Sequence, residues 1–141
     1  MKLALHTDYA LRVLMYLTGE QKRASVAVIS GFFGISRDHV AKVAQRLAKL
    51  ELVRSIKGLG GGLELARDPV GISVGEVVAA FEGGGHLLEC IAGDSGCCRI
   101  QSNCRLRGVL AEAEKVQMDY LRSVSLADVA KPGRSLTEMV D

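Results

Sequence analysis

The sequence has little aromatic character and no long apolar run. Tryptophan is absent, and phenylalanine and tyrosine occur three times each. Proteins that bind single-stranded nucleic acid stack the bases on aromatic side chains, so this composition argues against that class. No apolar run reaches the roughly 18 residues that span a bilayer, and the N-terminal stretch MetLysLeuAlaLeuHisThrAsp meets a charge too soon for a secretory signal. The sequence therefore predicts a cytoplasmic protein with no membrane partner.

Residue patterns typical of enzymes are also missing from the sequence. The chain offers no Ser/His/Asp arrangement and no paired carboxylates suited to general acid and base catalysis. The glycine run at 57–62 resembles a nucleotide-binding loop, but a strand pattern follows it, whereas a phosphate loop opens a helix. We therefore expect the protein not to be an enzyme.

Charge is divided unevenly between the two halves of the chain. Residues 1–69 hold 11 Lys and Arg against 6 Asp and Glu, whereas residues 70–141 hold 7 against 10. A basic half joined to an acidic half is typical of a polyanion-binding module that carries a separate sensor or dimerisation module. Uneven surface charge without a partner is the alternative interpretation.

Apolar spacing predicts three helices at the start of the chain. The first helix should begin after Thr7 as its N-cap and end at Gly19. Ser25 should cap the second helix, and a turn at Gly34 should lead to a third helix capped by Ser36. Apolar positions in the third helix follow 3-4-3 spacing and its basic residues project elsewhere, which is the helix-turn-helix pattern.

A β-hairpin should follow the third helix. Residues 52–56 suit a short strand, the glycine run at 57–62 suits a turn, and residues 63–65 alternate as a half-buried return strand does. Glycine allows the backbone to come close to a phosphate or to enter a minor groove. The hairpin is therefore predicted to be a wing, and residues 1–70 to form a winged helix-turn-helix DNA-binding domain.

The rest of the chain is predicted to hold a linker helix, a loop and one long helix. Residues 73–76 fit a capping box, and three glycines end that helix, so residues 71–104 form a linker helix and a cysteine loop. Residues 105–141 form the dimerisation helix and tail, because the apolar side of this helix has little of its own chain to cover it. That side consists of Leu106, Leu110, Ala113, Val116, Tyr120 and Leu121. The fold class is therefore mainly α with a small β wing: a winged helix-turn-helix plus a long C-terminal dimerisation helix.

All cysteines of the chain lie in one short stretch, at Cys90, Cys97, Cys98 and Cys104. Cytosolic thiols usually stay reduced, so clustered cysteines indicate metal or redox chemistry. Their spacing alone is compatible with an iron–sulfur cluster or with a zinc site. The adjacent cysteine pair, however, lacks the Cys-x2-Cys knuckle that zinc sites favour.

Several motifs resemble a family of bacterial winged-helix regulators that includes NsrR, the nitric-oxide-sensing repressor, and IscR, the regulator of iron–sulfur assembly. They are ThrAspTyrAlaLeuArg (7–12), IleSerArgAspHisValAlaLys (35–42), LysGlyLeuGlyGlyGlyLeuGluLeu (57–65), CysCysArgIleGlnSerAsnCysArgLeu (97–106) and LeuAlaAspVal (126–129). The motifs follow the order of the family and cover nearly the whole chain.

The resemblance implies an iron–sulfur cluster, with 4Fe–4S preferred and 2Fe–2S possible. It assigns three metal ligands to Cys90, Cys98 and Cys104, with Cys97 as an alternative to Cys98. It assigns the fourth ligand to Asp8 of the partner subunit in a homodimer.

Neighbouring residues support or compete with this assignment. Arg12 lies one turn after Asp8, where it would hold the carboxylate in place or form an ordinary i,i+4 ion pair with it. The histidine ligand of IscR-like proteins corresponds here to Arg107, which cannot lose its proton to become a ligand. His86, four residues before Cys90, is the rival fourth ligand.

The resemblance and the helix pattern together predict the DNA contacts. Basic side chains at the start of a recognition helix reach guanine or phosphate in the major groove, and a serine at the helix N-terminus can bind a phosphate. Arg46 and Lys49 lie further along the helix and fit a solvated surface equally well. The predicted contacts are Ser36, Arg37, His39 and Lys42 of the helix and Lys57 of the wing.

The expected function is that of a repressor whose intact cluster keeps a two-fold symmetric double-stranded operator occupied. Nitric oxide, the expected signal, dismantles the cluster and releases the DNA. One alternative is a regulator of iron or cluster supply, which uses the same parts but responds to cluster loading. Another is a small redox protein that uses Cys97 and Cys98 as a reactive pair. Only a DNA-binding protein loses DNA affinity steeply with salt, which separates the last alternative from the others.

Overall fold

The fold is mainly helical with a small antiparallel hairpin. The structure is a computed structural model that describes residues 2–93, 98–100 and 103–140. Its helices are α1 (Leu5–Glu20), α2 (Val26–Phe33), α3 (Arg37–Lys49), α4 (Val74–Glu82), α5 (Arg105–Ser123) and α6 (Leu126–Val129). Its strands are β1 (Val53–Ile56) and β2 (Gly62–Leu65), and single 3-10 turns lie at Pro69–Gly71, Glu89–Ile91 and Leu136–Met139. The predicted fold class is confirmed.

The helix-turn-helix is formed by α2 and α3. The Oγ of Ser25 accepts the backbone N–H of Val28 at 3.2 Å and begins α2. Gly34 ends α2 at φ 65°, a left-handed conformation that glycine adopts without steric cost. The Oγ of Ser36 accepts the N–H of His39 at 3.3 Å and begins α3. The predicted caps and turn are confirmed.

The wing is fixed to the segment that precedes α2. β1 and β2 pair from Val53↔Leu65 to Ile56↔Gly62. Ala24 and Leu63 exchange two backbone hydrogen bonds, of 3.0 and 2.8 Å, beside this pair. The base of the wing therefore has a defined position relative to the helix-turn-helix.

α1 is the central helix of the core. Ala10, Val13 and Leu14 have no solvent exposure and Leu17 has 2%, which confirms the predicted apolar face. Full burial of side chains of this size contributes about 1.5–3 kcal/mol each. Residues of the neighbouring elements complete the same cluster, among them Val40, Leu47, Val77, Phe81 and Leu126.

α1 begins earlier than predicted. Its N-cap is Ala4, and Thr7 lies inside the helix with no solvent exposure. The Thr7 hydroxyl donates to the carboxylate of Glu82, and the N–H of Ala4 donates to the same carboxylate at 2.9 Å. The prediction of Thr7 as an N-cap is wrong, because a distant carboxylate occupies the helix start.

The end of α1 also differs from the prediction. Gly19 lies within the helix, which ends at Glu20, and Gln21 follows with φ 50°. A Cβ at Gly19 would lie 2.9 Å from the carbonyl oxygen of Arg134. The glycine therefore allows the C-terminal segment to pack on α1 and does not end the helix.

α5 is joined to the rest of the chain mainly through α4. The Oγ of Ser73 accepts the N–H of Glu76 at 3.0 Å and begins α4. The Glu76 carboxylate pairs with Arg67 at 2.6 Å, so only half of the predicted capping box forms. A Cβ at Gly75 would lie 2.6 Å from the backbone nitrogen of Arg122, so the two helices meet at backbone distance.

α5, which is described over its full length, has no buried residue. Among the helices in the described part of the chain, none has the length and apolar content to cross a membrane. Part of the apolar side of α5 is uncovered within the single chain, whereas Leu110 and Leu121 of the predicted side are half-buried. The exposed residues are Leu106 (59%), Val109 (64%), Val116 (57%) and Tyr120 (68%).

Candidate metal centre and nucleic-acid interface

The loop between α4 and α5 carries the cysteines, and one arginine contacts both Cys90 and Cys104. Cys90 lies half-buried in the turn Glu89–Ile91. Cys104 is the N-cap of α5, where its Sγ accepts the backbone N–H of Arg107 at 3.4 Å. The Nε of Arg107 donates to the carbonyl oxygen of Cys90 at 2.9 Å. Arg107, which cannot be a metal ligand, therefore connects Cys90 with the last residue of the loop.

The donor types of this loop fit an iron–sulfur cluster, which thiolates on a loop can hold. Cys98 is exposed between the two anchored cysteines, and Cys97 lies outside the described residues. Within residues 2–93, 98–100 and 103–140, no three His, Cys, Asp or Glu side chains gather around a point that could hold a metal ion. The ligand set stays a prediction, and it includes a residue that only a second chain can supply.

Asp8 and Arg12 form an ion pair on the first turns of α1. The Oδ1 of Asp8 lies 3.0 Å from the Nε of Arg12, and the Asp8 side chain is 40% exposed. The Arg12 guanidinium also lies 5.7 Å from the ring centre of Phe33 on α2. Arg12 is thus held from two sides and orients a carboxylate that a second chain can reach.

His86 connects the beginning of the cysteine loop to α5. Its Nδ1 lies 2.9 Å from Oε2 of Glu114, and the N–H of Leu87 donates to the other oxygen of that carboxylate. The hydrogen bond with His86, followed by that from Leu87, lowers the pKa of Glu114. This hydrogen bond anchors the beginning of the loop. It does not decide against the rival role of metal ligand, because a ligating histidine commonly bonds a carboxylate through its second ring nitrogen.

The predicted DNA-contacting residues of α3 share its exposed first turns. Arg37 and Lys42 are exposed, and the Oγ of Ser36 lies 2.9 Å from Nδ1 of His39. The ring of His39 lies 5.9 Å from the ring of Tyr9 on α1. Hydroxyl, imidazole and two long cations at a helix N-terminus form a surface suited to phosphates and base edges.

Lys57 is exposed at the start of the wing turn. A Cβ at Gly61 would lie 2.2 Å from the carbonyl oxygen of Ile56, so only glycine allows this turn to close so tightly. Gly58 and Gly60 have φ values of 90° and 71°, which L side chains rarely adopt. The turn therefore projects Lys57 from a compact, glycine-dependent backbone.

The sequence interpretation missed an ion-pair network at the base of the wing. Glu64 lies 2.7 Å from Arg23 and 3.5 Å from Arg54. The hydrogen bond from Arg23 lowers the pKa of Glu64. The facing positions of Arg54 and Glu64 in the predicted hairpin were a signal that could have revealed this pair. Glu64 therefore offsets part of the positive charge beside the predicted DNA surface.

The contacts of Arg46 with α4 are a second feature that the sequence interpretation missed. Its Nη2 donates to the carbonyl oxygen of Ala80 at 2.6 Å, and its guanidinium lies 4.6 Å from the ring centre of Phe81. Arg46 follows His39 by seven residues, so both lie on the same side of α3. That side contacts α1 and α4. The seven-residue spacing was the signal in the sequence that could have placed Arg46 there.

Comparisons of the chain with a family model and with known proteins point to the same family. A sequence model of the Rrf2 family, described as iron-dependent transcriptional regulators, matches residues 3–132. The chain is 38% identical over 131 residues to the HTH-type transcriptional regulator NsrR of Shouchella clausii, covering 92% of this chain and 88% of the relative. It is 35% identical over 142 residues to NsrR of Bacillus subtilis, covering 99% and 97%.

Solved structures share the fold. The global cysteine regulator CymR of B. subtilis superposes with a TM-score of 0.75 at 20% identity, covering 100% of this chain and 99% of that one. IscR of T. potens superposes with a TM-score of 0.74 at 24% identity, covering 93% and 87%. Because the family model and the NsrR relatives both span nearly the whole chain, the protein belongs to the Rrf2 family and is a DNA-binding transcriptional regulator with a winged helix.

Proposed function

We propose that the protein is a homodimeric repressor that occupies its operator with an iron–sulfur cluster in place and releases it when nitric oxide nitrosylates the cluster. The observation that carries this proposal is the anchored cysteine loop. Arg107 joins Cys90 and Cys104 at the junction of α4, which packs on the core, and α5, which is uncovered. A group held by this loop is positioned to bias how α5 sits against the DNA-binding segment.

The family membership supports this proposal. The Rrf2 description includes iron dependence, and the NsrR relatives share 38% and 35% identity over at least 88% of their length. Iron in a transcriptional regulator requires donors, and the loop supplies the soft thiol donors that iron–sulfur clusters take. We prefer 4Fe–4S over 2Fe–2S on the resemblance to NsrR.

The ligands in this proposal are Cys90, Cys98 and Cys104 of one subunit and Asp8 of the partner subunit. When bound, the cluster supplies iron that reacts with nitric oxide. A carboxylate is a weak ligand in a sulfur-rich site, so Asp8 would be readily displaced by a diatomic gas. Arg12 keeps the Asp8 carboxylate oriented through its 3.0 Å ion pair.

The uncovered side of α5 supports pairing with a second copy. Leu106, Val109, Val116 and Tyr120 are each more than half exposed and lie along one side of the helix. Two identical helices can cover these side chains from each other in a two-fold arrangement. In this proposal residues 1–70 contact DNA, residues 71–104 hold the cluster and residues 105–141 pair the subunits.

The same two-fold arrangement sets the form of the operator. Two copies of α3 would enter major grooves about one helical turn apart on double-stranded DNA. Ser36, Arg37, His39 and Lys42 would contact phosphates and base edges, and Lys57 would contact the adjacent groove or backbone. The glycine turn beside Lys57 permits that close approach.

The direct test is a nitric oxide titration of anaerobically purified protein on its own promoter DNA. We expect affinity to fall as the cluster absorption is lost, with a steep salt dependence throughout. Wild-type affinity after complete nitrosylation would contradict nitric oxide sensing. Colourless, iron-free protein that binds DNA fully would contradict the cluster itself.

Single substitutions test the ligand set. Alanine at Cys90, Cys98 or Cys104 should remove the cluster absorption, and Asp8→Ala should keep the protein coloured but alter its spectrum and its rate of reaction with nitric oxide. Cys97→Ala is the matched control, because it should retain a wild-type spectrum. Loss of the cluster in Cys97→Ala with retention in Cys98→Ala would reassign the third ligand.

A regulator of cluster supply would behave differently in the same assay. Its DNA binding would follow the loaded fraction of protein when iron and sulfide are withdrawn, and nitric oxide would act only to the extent that it destroys the cluster. DNA affinity that follows the loaded fraction in the same way, whether the cluster is lost to nitric oxide or to withdrawal of iron and sulfide, would favour this second function over the first.

A further inference from the structure

The last turn of α4, Ala80–Glu82, lies directly before the cysteine loop and is connected to two other helices. We call it the α4 end. On one side, Arg46 of α3 donates from Nη2 to the carbonyl oxygen of Ala80 at 2.6 Å and places its guanidinium 4.6 Å from the Phe81 ring centre. The recognition helix is therefore attached to the residues from which the loop departs.

On its other side, the α4 end is attached to the beginning of α1. The Nε2 of His6 lies 3.0 Å from the carbonyl oxygen of Phe81. The N–H of Ala4 and the hydroxyl of Thr7 donate to the Glu82 carboxylate. The loop end, the start of α1 and the recognition helix thus meet at one turn of helix.

Arg46 suits this position for a physical reason. The last carbonyl groups of a helix lack partners within it and carry partial negative charge. A guanidinium satisfies such a carbonyl and at the same time gains a cation–π contact with an aromatic ring. Gly83, at φ 66°, ends α4 immediately afterwards, so the contact of Arg46 lies on the last turn of α4 before the loop.

The recognition helix is also attached at its other end, on the same side. The His39 ring lies 5.9 Å from Tyr9 of α1, and Arg46 follows His39 by two helical turns. A change at the α4 end would therefore act on one of the contacts that position α3, in addition to the core packing of its buried residues Val40, Val43, Ala44 and Leu47.

We infer that Arg46 is a positioning residue that transmits the state of the cysteine loop to the recognition helix, rather than a DNA contact. The inference rests on the proposed cluster-dependent DNA binding. It assigns a regulatory role to a cation that lies on the DNA-reading helix yet is engaged by α4.

The test compares Arg46→Met with Lys49→Met, which removes one positive charge from the same end of α3. For each protein the DNA affinity is measured with the cluster loaded and after its removal. We expect Arg46→Met to bind the cluster normally but to lower the loaded-to-empty affinity ratio by about fivefold or more, within the range of typical coupling between sites. Lys49→Met should keep the wild-type ratio.

The salt dependence of binding separates positioning from contact. A lysine or arginine that binds phosphate contributes about one unit to the slope of log affinity against log salt. We expect the slope of Arg46→Met to equal that of the wild type. Arg46→Lys keeps a donor and a positive charge for the Phe81 ring, so it should recover most of the affinity ratio and guard against a folding defect in the methionine variant.

Two results would overturn the inference: a wild-type affinity ratio in Arg46→Met, or a slope reduced by about one unit. A wild-type protein whose affinity ignores the cluster is a distinct result. It would contradict the proposed function and, with it, the signal that Arg46 is inferred to transmit.

Discussion

α1 and α5 are the two longest helices of the chain, and they differ completely in burial. α1 has 16 residues, of which eight are buried, whereas α5 has 19 residues and none is buried. Both carry an apolar side at helical spacing. The difference teaches that the single chain buries one side of α1 but leaves part of the apolar side of α5 exposed.

The largest effect is expected from a change on the buried side of α1. Leu14→Ala should lower the free energy of unfolding by about 2–5 kcal/mol, because Leu14 has no exposure and its removal leaves a cavity. Denaturant unfolding provides the measurement. Leu59→Ala, at the fully exposed wing tip, is the matched control and should change stability by less than about 0.5 kcal/mol. Similar losses in both variants would contradict the central position of α1.

The attachment of α5 to α4 can be broken at Gly75. Gly75→Ala places a Cβ 2.6 Å from the backbone nitrogen of Arg122, so we expect a loss of about 1–3 kcal/mol in unfolding free energy. Gly31→Ala, in α2 with open space around the new Cβ, should be neutral or stabilising. Calorimetry of the pair isolates the effect of the helix contact, and equal melting temperatures would show that α4 and α5 do not pack this closely.

The outward side of α5 should respond in association rather than in stability. Val116→Asp should weaken self-association by about tenfold or more, because a charge would be buried against a second copy. Analytical ultracentrifugation measures this change. Val28→Asp on α2 is the control, since Val28 is 52% exposed and Val116 is 57% exposed. If both variants associate as the wild type does, α5 is not the pairing surface.

The smallest effect is expected where α1 meets the α4 end. The Thr7 hydroxyl, followed by the Ala4 N–H, lowers the pKa of Glu82 below its ordinary value of 4.5. The ionised carboxylate therefore stabilises the fold above that value, and this contribution is lost as pH falls through the lower folded pKa. Glu82→Gln should cost less than about 1 kcal/mol at neutral pH, with the difference from the wild type vanishing in acid.

Stability curves against pH measure the Glu82 effect. Glu138→Gln, in the exposed C-terminal turn, should reproduce the wild-type curve. A constant difference between Glu82→Gln and the wild type down to strongly acidic pH would contradict the link to ionisation.

Local signals were sufficient for the helix-turn-helix and the wing. Ser25, Gly34 and Ser36 act on neighbouring backbone groups, so their positions in the sequence predict where α2 ends and α3 begins. The start of α1 could not be predicted in this way, because Thr7 bonds Glu82 across 75 positions of sequence. Long-range partners of polar side chains have no local signature.

The sequence could predict which side chains of the candidate site are metal donors, but not how these side chains are arranged in space. The cysteine spacing identifies the loop, yet the connection of Cys90 with Cys104 by Arg107 depends on the fold of the loop. Arg46 shows the same limit: its charge on α3 suggested solvent or DNA, and only packing against the α4 end reveals its partner. In the proposed dimer Asp8 approaches the cysteines of the partner subunit, and no local pattern within one chain predicts such an approach.

The sulfur of Cys104 occupies two structural positions at once. It is the atom proposed to bind iron. It is also the N-cap acceptor of α5, where it receives the backbone N–H of Arg107, and the exposed apolar side of the helix begins two residues later at Leu106. Alkylation or oxidation of this one atom would therefore loosen the first turn of α5, so that chemical damage to the proposed iron ligand and weakening of the proposed pairing helix would begin at the same atom.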